Sequence, residues 1–271
     1  MNKTLVLGAT GKTGRRIVER LTAKGVIARR GSRTANPRFD WDDRESWAAA
    51  LDGIERVYLS YYPDLSMPGA TETIAAFLEC ATSAGVKRVV MLSGRGEPQS
   101  QKCEQLVRES GAEWTIVRSS FFSQNFSESF FLGSVLDGEV ALPVGGVGEP
   151  FVDADDVAEV AATALLEDRH VGQLYEVTGP RLLTFEAAIA EISRAVDRRI
   201  RFVQVSPDDY SAALKANDVP PEYVALLNYL FTEVCDGRNA SLGNGIQRAL
   251  GRRPREFGDY VAATASTWRA A

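Results

Sequence analysis

Short apolar runs alternate with amphipathic helical patterns through the first two thirds of the chain. TLVLGA (residues 4–9), RVYLSYY (56–62) and VKRVVMLSG (86–94) have the length and hydrophobicity of buried strands. After the first run, Ile17, Val18 and Leu21 fall on one helical face. Strands that alternate with helices of this length predict crossover connections and a parallel sheet with helices on both faces.

The alternation continues to about residue 119 and then loosens. Strands are also predicted at GVIARRGSR (25–33), EWTIVRSS (113–120) and GQLYEVTGP (172–180), with helices at ATETIAAFLECATSAG (70–85) and QKCEQLVRESG (101–111). An aromatic, Ser-rich segment (120–138) and a Gly/Pro loop (142–150) follow residue 119. FVDADDVAEVAATALLED (151–168) returns to a strand and a helix, with Asp155 or Asp156 as the expected N-cap, and the chain after Ser206 is mostly helical.

The amino-acid composition limits the classes of protein to which this chain can belong. The chain has 271 residues, 45% of them hydrophobic, and a net charge of −5, which disfavours nucleic acid or an anionic membrane as the main partner. Its three cysteines, Cys80, Cys103 and Cys235, form no CxxC pair, so we expect neither a disulfide framework nor a metal site. No leader and no apolar run of membrane-spanning length is recognisable, so we expect a soluble, cytoplasmic protein.

The single histidine, His170, follows Glu-Asp-Arg in a segment that is typical of a loop. Catalysis by a Ser-His-Asp triad, or a histidine-rich metal site, would require this one residue. We expect His170 to be a solvated loop residue instead.

The segment GATGKTG (residues 8–14) contains two overlapping nucleotide signatures. A phosphate loop of the ATP type would need a glycine at the position that Val6 occupies inside the first strand, so that pattern fails. A dinucleotide-binding turn fits: Gly8 permits the tight turn, Gly11 permits close approach of a pyrophosphate, and Gly14 permits the helix to pack on the strand. The free N–H groups of the helix N-terminus would then face the phosphates.

The end of the second predicted strand indicates which dinucleotide is bound. An NAD site usually places Asp or Glu there to bind the ribose hydroxyls, whereas this chain has Arg29, Arg30 and Arg33 and no acid before Asp40. Because arginine attracts a 2′-phosphate, we predict a preference for NADP(H), with Ser32 and Arg33 as contacts. A solvated basic strand edge is the alternative.

We therefore predict an α/β fold: a Rossmann-type doubly wound parallel sheet with a smaller, mainly helical substrate lobe. Residues 1–118, together with 151–205, should form the dinucleotide-binding core. Residues 119–150 and 206–271 should form the substrate lobe.

The sequence resembles the NmrA-like branch of the atypical short-chain dehydrogenases/reductases over nearly its whole length. The resemblance is carried by LVLGATGKTGRRI, GVKRVVMLSG, EWTIVRSSFFSQNF, EPFVDADDVAEVAATAL and YEVTGPRLLTFEAAIAEIS. Within that branch, SRTANPRFDW and VPPEYVALL are similar to the ergot-alkaloid iminium reductases of the festuclavine dehydrogenase type.

The resemblance implies a role for several groups of residues. The pyrophosphate would be held by Gly8, Thr10, Gly11, Lys12, Thr13 and Gly14. Phe39, Asp40 and Trp41 would lie by the adenine, and Ser60, Tyr61 and Tyr62 by the ribose region. Leu92, Ser93 and Gly94 would flank the nicotinamide, and the segment from Ser119 to Asn125 would close over it, although Ser119 departs from the proline of many relatives.

The Tyr-x-x-x-Lys pair of ordinary short-chain dehydrogenases is missing, because no tyrosine has a lysine four residues later. That pair donates a proton as the carbonyl is reduced. An iminium needs no proton at the transition state, and a quinone first forms a stabilised oxyanion. The absence of the Tyr-Lys pair therefore narrows the range of compounds that can accept the hydride. Ser93 is a weak catalytic candidate that could instead cap its loop, and Lys102 is expected to be a solvated helix residue.

The substrate wall is predicted in SSFFSQNFSESFFL (residues 119–132), with Phe121, Phe122 and Asn125, and in Tyr61. Phe122, Phe126 and Phe130 recur at the spacing of one helical face, which is typical of a core stripe. An aromatic slot for a planar, apolar or cationic ring is the functional alternative.

Two classes of function remain open from the sequence. The first is an NADPH-dependent reductase of a small activated acceptor, a cyclic iminium or imine, with a quinone as the other acceptor. The second is a non-catalytic NAD(P)-binding redox sensor, for which Arg252, Arg253 and Arg255 could form a partner patch or a solvated connector.

Overall fold

The computed structural model describes residues 3–269 and contains one large parallel sheet and one small one. The strands are β1 (Thr4–Leu7), β2 (Ala28–Gly31), β3 (Arg56–Leu59), β4 (Arg88–Gly94), β5 (Glu113–Ser119), β6 (Glu139–Leu142), β7 (Gln173–Val177) and β8 (Arg201–Gln204). The large sheet has the order β2-β1-β3-β4-β5-β7, and β6 pairs with β8 in the small one. Every pairing is parallel, which confirms the predicted Rossmann-type α/β fold.

Helices connect these strands. They are α1 (Lys12–Ala23), α2 (Glu45–Leu51), α3 (Ala70–Ser83), α4 (Pro98–Glu109), α5 (Phe131–Asp137), α6 (Ala154–Leu166), α7 (Phe185–Ala195), α8 (Pro207–Ala216), α9 (Pro221–Tyr229), α10 (Gly245–Leu250) and α11 (Phe257–Arg269). Short 3₁₀ turns occur at Ser123–Phe126 and Asp168–His170, and one π turn at Leu230–Val234 follows α9. None of the described helices is long and apolar enough to cross a bilayer.

The chain divides into two compact units. The first unit contains the described residues up to Ser119, Ala154–Val177 and Asn244–Arg252, and the second contains Ser120–Asp153, Thr178–Gly243 and the residues from Arg253 on. This division differs from the predicted one in two segments. Residues 178–205 lie in the second unit because β8 pairs with β6 and α7 enters that unit's core. Residues 244–252 lie in the first unit, where Gly245 packs against the backbone of Glu176.

The core of the first unit lies between the sheet and α2, α3 and α4. Its side chains include Leu5 and Leu7 of β1, Trp47 of α2 and Phe77 of α3, all nearly fully buried. The strand order reverses between β1 and β3, which lie next to each other although α2 and β2 separate them along the chain. In doubly wound sheets, ligands bind at the carboxyl ends of the strands beside such a reversal. By this rule, the topology favours a ligand site where β1 ends, at the glycine turn.

The second unit has an aromatic core of its own. Phe126, Phe151, Phe185, Phe231 and Phe257 are all buried in it. Trp268 of α11 is buried with them and donates its indole N–H to the Phe126 carbonyl at 2.9 Å. The unit is largely helical but also contains the small sheet, which the sequence pattern did not predict.

Three local predictions are wrong. Phe122, Phe126 and Phe130 do not share a helical face, because the segment is a 3₁₀ turn followed by α5, so that Phe126 is fully buried while Phe130 is exposed. Asp155 and Asp156 lie within the first turn of α6 and do not cap it. Phe151–Asp153 forms no strand and makes a single bridge through Val152.

His170 is also not a solvated residue. It is fully buried in the first unit, and its Nδ1 lies 2.8 Å from the Tyr175 hydroxyl. The polar residues around it in the sequence suggested a loop, but the 3₁₀ turn directs the ring inward.

Candidate cofactor and active site

The glycine turn joins β1 to α1 in the first unit. Gly8 has φ +63°, the left-handed region that favours glycine, and its carbonyl accepts the Gly11 N–H at 2.8 Å. Gly11 is the N-cap residue of α1 and provides no side-chain cap. A methyl group at Gly14 would overlap the backbone of Gly8. The turn therefore leaves a helix N-terminus without a side-chain cap above a closely packed backbone, which fits a bound pyrophosphate.

Thr13 is held in this turn by a residue that the sequence pattern did not single out. The hydroxyl of Tyr58, in β3, donates to Thr13 Oγ1 at 2.9 Å. Tyr58 is fully buried, and burial raises its pKa above the usual value, so the phenol stays protonated and can donate. Thr10 and Gly11 are exposed and Lys12 is half-buried, as a ligand-binding turn requires.

The arginines within β2 and just after it do not all have the same role. Arg29 donates its guanidinium to the carbonyls of Ala50 and Asp52, at 2.9 and 2.8 Å, so it fastens β2 to the end of α2. Arg33 is exposed, with its guanidinium 5.8 Å from the centre of the Tyr62 ring. Ser32 lies at the start of the same loop, where its carbonyl accepts the Phe39 N–H. Arg33, Ser32 and Tyr62 thus lie beside the ends of β2 and β3.

The predicted adenine and ribose residues also come together in the first unit. Trp41 donates its indole N–H to the Ser60 carbonyl at 3.2 Å, and its ring lies 5.0 Å from the ring of the half-buried Tyr61. Asp40 is bound by Arg38 at 2.5 Å. Phe39 is 3% exposed and belongs to the core, so it is not available as an adenine contact.

Leu92, Ser93 and Gly94 form the carboxyl end of β4. The hydroxyl of Ser93 donates to Glu104 Oε1 at 2.6 Å, and both residues are buried. Arg118 of β5 forms a two-pronged ion pair with the same carboxylate, at 2.8 and 2.5 Å. Its hydrogen bonds to Glu104 raise the pKa of Arg118. Because the Ser93 hydroxyl already donates its proton to Glu104, Ser93 can only accept a hydrogen bond from a ligand.

Glu104 was missed because the sequence shows only a polar residue in an amphipathic helix. Glu104 follows Lys102 by two residues in α4, and its contact with Arg118 of the next strand depends on the packing of α4 against the sheet. Lys102 itself is exposed, as expected.

The remaining predicted substrate residues lie in the second unit. Phe121 stacks on Phe131 with ring centroids 6.0 Å apart, and its backbone N–H donates to Glu149 Oε1 at 3.2 Å. Phe122 is half-buried, and Asn125 is 8% exposed. Phe121 also lies 6.1 Å from Phe231, so it forms part of the aromatic core as well as a partly exposed wall. Among residues 3–269, no group of His, Cys, Asp and Glu is arranged to hold a metal ion.

Comparison with known proteins identifies the family. A family model described as NAD(P)H-binding matches residues 8–168, which include the glycine turn and β2 to β6.

Curated relatives match along nearly the whole chain. One named (4-alkanoyl-5-oxo-2,5-dihydrofuran-3-yl)methyl phosphate reductase, from Streptomyces griseus, is 33% identical over 278 residues, covering 95% of this chain and 96% of the relative. NAD(P)H azoreductase from Xenophilus azovorans is 30% identical and covers 98% and 99% of the two chains. Agroclavine dehydrogenase from Claviceps fusiformis is 26% identical and covers 97% and 98%.

Solved structures share the fold. Citrobacter sp. triphenylmethane reductase complexed with NADP(H) superimposes with a TM-score of 0.77 at 18% identity, over 97% of this chain and 99% of that one. An NADPH-dependent quinone oxidoreductase from Escherichia coli, complexed with NADPH, has a TM-score of 0.77 at 20% identity, over 96% and 99%. The chain belongs to the NAD(P)H-binding, NmrA-like family of atypical short-chain dehydrogenases/reductases and is an NAD(P)H-dependent oxidoreductase.

Proposed function

We propose that the protein is an NADPH-dependent reductase that delivers hydride to a small cyclic imine or iminium. The observation that carries this proposal is the lack of an ordinary proton donor at the end of β4. The Tyr-x-x-x-Lys pair is missing from the sequence, and the hydroxyl proton of Ser93 is held by Glu104. Losing a positioned acid costs a carbonyl reduction roughly 10²–10⁴ in rate, whereas hydride addition to an iminium gives a neutral amine without a proton.

The first unit has residues suited to each part of the cofactor. The glycine turn, with Thr10 to Gly14, would bind the pyrophosphate through backbone N–H groups. Ser32 and Arg33 would bind the 2′-phosphate, while Asp40, Trp41, Ser60, Tyr61 and Tyr62 would line the adenosine and ribose regions. Leu92, Ser93 and Gly94 would flank the nicotinamide, which supplies hydride when the cofactor is bound.

The substrate would be a planar ring. In the second unit, the partly exposed Phe121 and Phe122 would provide aromatic faces and Asn125 an amide. In the first unit, the half-buried Tyr61 would provide an aromatic face. Aromatic faces attract cations by about 0.5–2 kcal/mol, which suits an iminium. The resemblance of the sequence to ergot-alkaloid iminium reductases supports the same acceptor class, and agroclavine dehydrogenase is among the similar proteins.

Turnover by the purified protein tests the proposal. NADPH oxidation is followed with an N-methylated cyclic iminium, a quinone, a ketone and an aldehyde, and NADH serves as the cofactor control. We expect consumption with the iminium and little with the ketone or aldehyde. Consumption with the quinone alone would make this a quinone reductase. If NADPH is oxidised with none of the four compounds although the protein binds both NADPH and NADP⁺, the redox sensor would be favoured.

The cofactor preference is tested by Arg33→Ala. A charge-assisted hydrogen bond contributes about 1.5–3 kcal/mol, so we expect the Kd for NADPH to rise roughly tenfold or more. The Kd for NADH should hardly change, because NADH has no 2′-phosphate. Lys24→Ala removes one exposed positive charge at the other end of α1 and is the matched control. An unchanged NADPH affinity in Arg33→Ala would refute the assignment.

A further inference from the structure

Strand β3 contacts the glycine turn with two side chains. Tyr58 lies in β3 and Ser60 directly follows it, two positions farther, so that both side chains lie on the same side of the sheet. Ser60 Oγ lies 3.6 Å from the place that a methyl group on Gly8 would take. The Tyr58 hydroxyl lies 2.9 Å from Thr13 Oγ1. The neighbouring strand therefore contacts both the first glycine of the turn and the first turn of α1.

Tyr58 is the donor in its hydrogen bond to Thr13. Tyr58 is fully buried, and Thr13 is 5% exposed. Burial raises the pKa of Tyr58 above the usual value, so the phenol keeps its proton throughout the working pH range. The phenol proton occupies one lone pair of Thr13 Oγ1, which leaves the threonine's own hydroxyl proton to be donated elsewhere.

The position of Thr13 in α1 restricts where that proton can go. Thr22, farther along the same helix, donates its hydroxyl to the Val18 carbonyl four residues earlier, at 2.8 Å. Thr13 is the second residue of α1, so the residue four positions before it, Ala9, belongs to the turn and not to the helix. The helix itself therefore offers no such acceptor to Thr13. Its hydroxyl lies at the helix end whose N–H groups have no partner within the helix.

We propose that Tyr58 is a positioning residue that directs the Thr13 hydroxyl to a pyrophosphate oxygen of the dinucleotide. The inference concerns the binding of the cofactor and does not depend on which substrate is reduced. Thr13 adds one side-chain donor to the backbone N–H groups of the turn, and hydrogen bonds to charged oxygens are stronger than those between neutral groups. Tyr58, which is fully buried, acts only through Thr13.

Tyr58→Phe tests this role, because it removes only the hydroxyl. The probes are 2′-phospho-ADP-ribose and ADP-ribose, which contain the pyrophosphate, and 2′-AMP, which does not. We expect the Kd of both pyrophosphate ligands to rise roughly three- to tenfold, because Thr13 keeps its proton but loses its orientation. The Kd of 2′-AMP should not change. Isothermal titration calorimetry measures all three values.

Tyr175→Phe is the matched control. It also removes a buried tyrosine hydroxyl from the first unit, one that lies 2.8 Å from His170 Nδ1 and not in the glycine turn. It should leave the Kd of every probe unchanged, whatever it does to stability.

Variants of Thr13 show whether Tyr58 acts through this residue. Thr13→Val keeps the shape of the side chain without the hydroxyl, so the Kd of the pyrophosphate ligands should rise roughly ten- to a hundredfold. Thr13→Ser keeps the hydroxyl and should bind these ligands almost as tightly as the wild type. In the Thr13→Val background, Tyr58→Phe should cause no further loss, because the two residues act as one unit.

Several results would overturn the inference. One is an unchanged Kd of the pyrophosphate ligands in Tyr58→Phe, or an equal rise in the Kd of 2′-AMP, which would indicate a general loss of structure. Another is an undiminished effect of Tyr58→Phe in the Thr13→Val background, which would show that Tyr58 does not act through Thr13. If Tyr58→Phe does not fold, the Thr13 variants decide, since equal affinities of Thr13→Val and Thr13→Ser would refute a role for the hydroxyl. Failure of the wild type to bind either pyrophosphate ligand would also overturn it.

Discussion

Single residues in this protein have roles that depend on burial rather than on residue type. His170 is fully buried, and its Nδ1 lies 2.8 Å from the Tyr175 hydroxyl. Its Nε2 lies 3.7 Å from Glu167 Oε2, which is beyond hydrogen-bond distance. Burial lowers the pKa of His170 below its usual value. The imidazole is therefore neutral in the folded protein at physiological pH and contributes to packing rather than to catalysis.

This has a testable consequence for stability. Because the pKa of His170 is lower in the folded than in the unfolded protein, its contribution is complete above pH 6.5 and decreases as the pH falls and the unfolded chain binds a proton. His170 is the only histidine, so its ring resonances can be assigned directly by NMR. They should titrate below pH 6.5 in the native protein and near that value in denaturant, which is the control. A native titration at or above the denatured one would contradict this account.

At the scale of elements, the proposed cofactor site is made at the carboxyl ends of β1, β2, β3 and β4. Each strand end brings one group to this edge of the sheet: the glycine turn, Arg33, Ser60 with the two tyrosines, and Gly94. The elements themselves were largely predictable, since buried strands and amphipathic helices have distinct periodicities. The structure of the aromatic segment after β5 was not predictable. Its phenylalanines recur every four residues, as on one face of a helix, but the chain forms no continuous helix there.

The packing of α1 on the glycine turn can be tested with Gly14→Ala. The added methyl group would overlap the Gly8 backbone, so we expect the free energy of unfolding to fall by about 1–3 kcal/mol and the affinity for NADPH to fall as well. Calorimetry and equilibrium binding measure the two effects.

Gly133→Ala is the control for Gly14→Ala. Gly133 is exposed in α5 with nothing within 4 Å of an added methyl group, so alanine should stabilise the protein by up to about 1 kcal/mol. Equal effects of the two substitutions would show that helix propensity, and not the close approach at Gly14, determines the result.

At the scale of the whole molecule, two units have separate cores. The core of the first unit is built on the large sheet, and that of the second is an aromatic cluster closed by Trp268. The predicted boundary was wrong for residues 178–205 and 244–252, since the contacts that assign a segment to a unit are made with residues distant in sequence.

The sequence by itself determined the parallel α/β fold, the dinucleotide turn and the absence of a Tyr-Lys pair. These features are local, because they depend on hydrophobic period, on glycine at defined spacings and on which residues occur together. Only the tertiary structure decided that Ser93 donates to Glu104 and that His170 is buried. Burial and pairing between separate elements set the ionisation of a side chain, and neither is encoded at short range along the chain.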